Sequence, residues 1–262
     1  MVVTSPPYNI GLKYRSYEDE LSREDYEKWV LEWSQELHRV LEDEGSFFLN
    51  LGSKPSDPTV PFQIALALSK VFVLQNTFHW IKAVSIDEEH VSRNLGVSSP
   101  LSVGHYKPIN SERYVNDCHE YVFHFTKSGR VPLERLALGV PYADTSNIKR
   151  WKNAKNGVRC RGNNWFVPYE TIQNRDKERP HPATFPKKLV QMCLELHGLE
   201  YIDSVLDPFM GIGSTMLAAE SLGLKSIGFE LDSYYIQVAK ERLSQMDVKK
   251  KKKSESDLEL AA

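Results

Sequence analysis

Leu206-Asp207-Pro208-Phe209-Met210-Gly211-Ile212-Gly213-Ser214-Thr215 is a strand that breaks into a glycine turn and restarts as a helix. Ile202 to Leu206 supplies the apolar and β-branched residues, and Gly211 and Gly213 permit close backbone approach. Ser214-Thr215-Met216-Leu217-Ala218-Ala219 opens the helix, whose free N–H groups favour a negatively charged group, here a carboxylate. Ser226-Ile227-Gly228-Phe229-Glu230 reads as a second strand ending in an acid, 17 residues after Gly213. An acid so placed can accept both hydroxyls of a ribose. The spacing supports a nucleoside without choosing which one.

A second segment lies about two hundred residues earlier: Thr4-Ser5-Pro6-Pro7-Tyr8-Asn9. Consecutive prolines fix φ and hold the preceding residue extended. Neither has an N–H, so the carbonyls of Ser5 and Pro6 are open to a ligand. An exocyclic base amine is a poor nucleophile, because its lone pair is delocalised into the ring. Accepting its hydrogens with the Ser5 hydroxyl and a carbonyl near Pro6 draws the nitrogen towards tetrahedral geometry and localises that pair. Tyr8 is then expected to stack on the base and hold it in line with a methyl donor. Alone, Pro-Pro reads as a surface turn. The preceding Val-Val-Thr, the following Tyr-Asn and the distant glycine turn argue against that.

Together with His181-Pro182-Ala183-Thr184-Phe185-Pro186-Lys187-Lys188-Leu189, these motifs resemble the permuted, β-class amino-methylating DNA methyltransferases of restriction-modification systems. In that class the cofactor half follows the catalytic half. The resemblance covers most of residues 1–246. It implies an α/β, Rossmann-like fold: a mostly parallel sheet with one reversed strand, plus a smaller irregular target-recognition region. It implies S-adenosylmethionine as donor and a flipped base of double-stranded DNA as acceptor, since the amine is out of reach in a stacked duplex.

Residue by residue, the resemblance assigns catalysis to Ser5, Pro6, Pro7 and Tyr8. Cofactor binding falls to Thr4, His181, Pro182, Thr184, Phe185, Asp207, Pro208, Phe209, Gly211, Gly213, Ser214, Thr215 and Glu230. Asp207 would hold the methionine amino group and Glu230 the ribose, with Thr184 and Phe185 on the opposite wall. Serine before Pro-Pro-Tyr leans towards N4 of cytosine, with N6 of adenine the alternative. Carbon-5 methylation is disfavoured, because it needs a cysteine nucleophile and the chain has no Pro-Cys pair.

At 262 residues and 41% hydrophobic, the chain is large enough for one sizeable core and a smaller lobe. Cys118, Cys160 and Cys193 match no metal or redox spacing, so no metal is expected. No signal peptide and no membrane-length apolar run are read, which predicts an intracellular, soluble protein with no membrane partner, and the resemblance implies a prokaryotic cytoplasm. The net charge of −2 hides strong segregation. Residues 16–45 hold eleven acids against three Lys/Arg, whereas 146–188 hold eleven Lys/Arg against three acids. The basic stretch is interleaved with Trp151, Trp165, Phe166 and Tyr169. It is expected to bind DNA, through Lys149, Arg150, Lys152, Arg159 and Arg161.

Four regions follow: a catalytic half (1–129), target recognition (130–178), a cofactor half (179–246) and a disordered basic tail (247–262). Ser22 is expected to cap a helix ended by Gly45, whose aromatics, Trp29 and Trp33 among them, read as core. Strands are expected at 46–51, within 72–82 and at 120–126, a helix at 62–70, and a long loop at 83–117.

One departure from the resemblance concerns the adenine pocket. A strand and a Gly-Asp-type segment usually precede the Pro-Pro motif, whereas only Met1-Val2-Val3 does so here. The pocket is therefore expected to be incomplete. Other classes weighed are a catalytically impaired DNA-binding homologue, a methyltransferase of RNA or protein amides, and a nicotinamide oxidoreductase. The RNA or protein enzymes usually place the glycine motif first, and the oxidoreductase gives Ser5 to Tyr8 no role. A homodimer and a cognate restriction endonuclease are further partners compatible with the resemblance.

Overall fold

The structure is a computed structural model that describes residues 1–91, 97–104, 110–142, 148, 157–169 and 180–259, with 247–259 described by their backbone alone. Its centre is a seven-stranded sheet. In chain order the strands are β1 (Val2–Thr4), β2 (Phe47–Leu51), β3 (Val73–Ile81), β6 (His119–Thr126), β9 (Asn164–Phe166), β10 (Ser204–Asp207) and β11 (Lys225–Gly228). Their spatial order is β11-β10-β1-β2-β6-β3-β9. Only β6 is reversed: it pairs antiparallel with β2 and β3, while the other pairings are parallel. This is the mostly parallel sheet with one reversed strand that the family resemblance implied.

The helices explain why β2 is apolar at every position but Asn50. Val2, Phe47, Leu49 and Leu51 face α1 (Arg23–Val40) and α2 (Val60–Leu68). Val3, Phe48 and Val205 face α3 (Lys187–His197) and α4 (Ser214–Ser221). Covered on both faces, all five residues of β2 are buried.

Strand order reverses between β1 and β10, which lie side by side with Val2 opposite Leu206. Both end at the same edge of the sheet, so the Pro-Pro turn after β1 and the glycine turn after β10 leave it together. The crevice at such a reversal is where open α/β sheets bind ligands.

Four expectations change. The first helix stops at Val40, because Leu41 turns extended and buries its side chain; Gly45 instead closes a short turn on Glu42. The expected loop at 83–117 contains a hairpin of β4 (Ala83–Ile86) and β5 (Leu101–Gly104). Within 130–178, β7 (Val140–Pro141) pairs with β8 (Val158–Arg159), and β9 extends the main sheet. Trp165, expected beside DNA, is thereby in the core, stacked on Phe78 at 4.3 Å. Finally α5 (Ser233–Glu259) carries helical backbone past Met246, where a tail without structure was expected; lysine and glutamate are good helix formers even without an apolar face.

Candidate active site

The turn after β1 is fixed from outside. The Tyr26 hydroxyl of α1 donates to the Pro7 carbonyl at 2.6 Å. Asn9 is the one described non-glycine residue at positive φ, +57°, a conformation asparagine tolerates better than most. Asp19, 2% exposed, accepts the backbone N–H groups of Asn9, Ile10 and Leu12 and holds the following loop. Ser5, Pro6 and Pro7 are thus presented on the wall of a cavity of about 480 Å³.

Tyr8 was expected to lie open to a base, but it is 7% exposed. Its ring packs against Gly52, and its hydroxyl meets Ser5 Oγ at 2.8 Å, Asn50 Nδ2 at 2.6 Å and Glu120 Oε2 at 3.0 Å. Burial first, and then the Glu120 charge, raise its pKa well above the usual tyrosine value, so the phenol keeps its proton. Lys82 pairs with the other oxygen of Glu120. Asn50, Lys82 and Glu120 escaped the sequence reading. The available signal was a single Lys or Glu in each of two strand segments without another such charge, where an unpaired charge is rare.

The glycine turn closes the same cavity from the other side. Gly211 (φ +51°) and Gly213 (φ +80°) take left-handed conformations, and a side chain on Gly211 would press on the His181 ring at 3.2 Å. Glu230 accepts the N–H of Gly211 at 3.0 Å and that of Asp232 at 2.9 Å, which holds its carboxylate at the cavity wall. His181 lies across from it, its ring 4.6 Å from that of Tyr235, and burial lowers its pKa below the usual histidine value. Of the expected cofactor residues, His181, Pro208, Phe209 and Glu230 line the cavity.

Asp207 does not line it. Its carboxylate is fully buried and accepts Thr4 Oγ1 at 2.5 Å, Thr215 Oγ1 at 2.6 Å and the Phe209 N–H at 3.0 Å. Burial raises its pKa to about 6 against these hydrogen bonds, which lower it. Asp207, Thr4 and Thr215 therefore lock β10, β1 and α4 together beneath the site. Phe185 is likewise core, and Ser214 is buried; Pro182, Thr184, Gly211 and Gly213 are not among the residues that line the cavity.

The sequence reading also took Trp29 and Trp33 for core alone. Both line the cavity, with ring centroids 5.4 and 5.5 Å from Phe209. Trp33 Nε1 and the Tyr17 hydroxyl, also on this wall, are buried polar atoms without a partner among the described residues. An aromatic slot with unused hydrogen-bonding groups and a facing carboxylate fits a nucleoside carrying an amino acid. The cavity size is also in the range of cofactor sites.

Arg159 is exposed, whereas Arg161 donates Nε–H to the Leu138 carbonyl at 3.1 Å and so braces its own loop. Lys149, Arg150 and Lys152 lie outside the described residues.

The type II methyltransferase M.ScaI of Streptomyces caespitosus is 32% identical over 260 residues, covering 93% of this chain and 74% of M.ScaI. The solved PvuII DNA methyltransferase (cytosine-N4-specific) superposes with a TM-score of 0.60 at 20% identity, covering 91% of this chain and 77% of that one. The M1.HpyAVI–SAM complex gives 0.55 at 19% identity, covering 92% and 87%. At such identities the two structures speak for the fold alone. The N6/N4 DNA methylase model matches residues 1–241, nearly the whole described chain, and the protein belongs to that family.

Proposed function

We propose that this protein is a site-specific DNA methyltransferase that moves the methyl group of S-adenosylmethionine to the exocyclic amine of a flipped base, N4 of cytosine before N6 of adenine. The observation that carries the reading is the shared cavity: Ser5, Pro6 and Pro7 line one wall, and Phe209 and Glu230 the other. Two turns from opposite ends of the chain meet at one strand-order reversal, which supports reading an amine site beside a nucleoside site.

S-adenosylmethionine supplies a methyl group activated by its sulfonium. Glu230 accepts the ribose hydroxyls, and Phe209, Trp29 and Trp33 hold the adenine, with Trp33 Nε1 and the Tyr17 hydroxyl free to hydrogen-bond it. This slot, built from α1 and the loop before it, supports activity over the impaired-homologue reading. Ser5 accepts one hydrogen of the target amine and directs its lone pair along the cavity. Since the amine can lose its proton after transfer, no strong general base is required. Ser5 supports an exocyclic amine firmly and cytosine only by association. Arg159 and its basic neighbours would carry the DNA, and a cognate restriction endonuclease, a second copy of the chain and a prokaryotic cytoplasm belong to the same reading.

The test is tritium transfer from labelled S-adenosylmethionine to duplex DNA, followed by digestion to nucleosides. Label in N4-methylcytosine is expected. N6-methyladenine alone would move the target and keep the class, and no transfer to any duplex would overturn the reading.

A further inference from the structure

Beneath Ser5 lies a run of polar side chains in which one assignment of donors and acceptors puts a hydrogen between every close pair of oxygens. Asn50, 5% exposed, places Nδ2 at 2.6 Å from the Tyr8 oxygen and 2.7 Å from Glu120 Oε2. Only the amide nitrogen can sit so close to a carboxylate oxygen, so Asn50 donates one hydrogen to each. Glu120, paired through Oε1 with Lys82, is a carboxylate and can only accept. Tyr8 has a single hydrogen, and at 3.0 Å that hydrogen goes to Glu120 Oε2. One of its lone pairs already receives Asn50. What remains for Ser5, 2.8 Å away, is the other lone pair. Ser5 must therefore donate its own hydrogen downwards, into the protein.

A serine hydroxyl can ordinarily turn either face to a ligand. Here the direction is set, and its oxygen meets the cavity as an acceptor only. That polarity is the one an amine with two hydrogens to give requires. Lys82 is itself steadied between Glu120 and two aromatic faces, its Nζ 5.2 Å from the Trp80 ring centroid and 5.9 Å from that of Tyr169. Gly52 leaves the room that this arrangement needs, since a Cβ there would meet the Tyr8 ring at 2.9 Å and the Glu120 carboxyl carbon at 3.0 Å.

We propose that Glu120, held by Lys82, is a positioning residue of the reaction: through Tyr8 and Asn50 it fixes the hydrogen bond of Ser5 inward, so that Ser5 receives the target amine with a lone pair. This rests on the methyl-transfer reading above. It also gives the buried Tyr8 a role.

Glu120→Gln places an amide where the carboxylate was and lets its NH2 donate to Tyr8, which frees Tyr8 to donate to Ser5 and turns the chain around. Single-turnover methylation by Glu120→Gln is expected to slow by about 10- to 100-fold, as for a misplaced positioning contact. S-adenosylhomocysteine affinity and the melting temperature should stay near those of the unaltered protein. The distinguishing readout is coupling. Ser5→Ala should slow the unaltered protein by a similar factor but the Glu120→Gln protein by about threefold or less. Tyr8→Phe, which cuts the link and keeps the ring, should behave as Glu120→Gln does. Lys82→Met should share the loss and Lys82→Arg restore most of it, a pair that answers the question even if Glu120→Gln fails to fold. Full turnover by Glu120→Gln, or losses that multiply with Ser5→Ala, would overturn this proposal alone. An unaltered protein without methyl transfer would overturn it together with the reading it rests on.

Discussion

Trp33 combines three properties that together assign it work at the site. It projects from α1 onto the cavity wall, its ring meets Phe209 edge-on at 5.5 Å, and its indole N–H is buried without a partner among the described residues. An apolar residue of α1 would have closed the same surface without leaving a donor unused, and an unused buried donor is costly. The N–H is accounted for once an adenine with ring nitrogens lies against it. Stacking of a base on an aromatic ring is worth about 1–3 kcal/mol. Trp33→Ala should therefore weaken S-adenosylhomocysteine binding, measured by calorimetry, by about tenfold or more, while the fold melts cooperatively as before. Trp33→Phe should recover the stacking part but not the hydrogen bond. Unchanged affinity in both variants would leave Trp33 a core residue, as its helical spacing first suggested. Periodicity shows which face of a helix is apolar; it does not show that part of that face stops short of the sheet and borders a cavity.

Between elements, a buried relay ties β2, β6, β3 and α3 together. Asn76 Nδ2 of β3 lies 3.0 Å from His124 Nδ1, His124 Nε2 lies 2.8 Å from Ser46 Oγ, and Ser46 Oγ lies 2.9 Å from His197 Nδ1. Because Asn76 donates to Nδ1, the His124 hydrogen sits on Nε2 and passes to Ser46, which in turn donates to His197. The chain is satisfied only with both rings neutral. Burial, and then the neighbouring His197, push the His124 pKa down to about 3, and burial also lowers that of His197. Both folded values lie below the unfolded 6.5, so the unfolded chain binds more protons, and this stability is complete above pH 6.5 and declines below it. Each histidine contributes a slope of up to about 1.4 kcal/mol per pH unit. Urea midpoints should fall from pH 6.5 towards 4, and His124→Gln, which keeps the Nε2-side donor without titrating, should reduce that slope by one proton. An identical slope in the variant would remove His124 as the cause. None of this relay was legible in the sequence, where Asn76, His124 and His197 are far apart and carry no local pattern. The strands and helices it joins were legible, because β2 is apolar but for Asn50, Ser22 donates to and accepts from Asp25 at the start of α1, and glycines mark the turn after β10. The site was legible to the same extent: motifs placed Ser5, Phe209 and Glu230 on one cavity, while Asn50, Lys82 and Glu120 reach it only through pairing of β2, β3 and β6.

Over the whole molecule, charge is segregated along the chain more than its total of −2 conveys. The acidic stretch 16–45 forms α1 and its flanks, and several of its acids are used internally: Asp19 holds the loop after Tyr8, and Glu27 pairs with Lys70. In the reading proposed above, DNA is drawn to the cavity by the basic stretch 146–188, since phosphates are repelled by an acidic face. The two arginines named there differ in what they can reveal. Arg161 Nε–H is committed to the Leu138 carbonyl, so its loss disturbs the loop as well as the charge. Arg159 is exposed on β8, and the hydrogen bond it makes, to the Cys160 carbonyl at 3.4 Å, is long, so its guanidinium is available to a phosphate. Arg159→Ala is accordingly the cleaner probe. It should weaken duplex binding about equally for all sequences and reduce the slope of log K against log salt by about one counterion. Its effect on S-adenosylhomocysteine binding should be nil, because Arg159 is not on the cavity wall. An unchanged salt slope would remove Arg159 from the phosphate contacts, and with it the assignment of this stretch as the face that receives DNA.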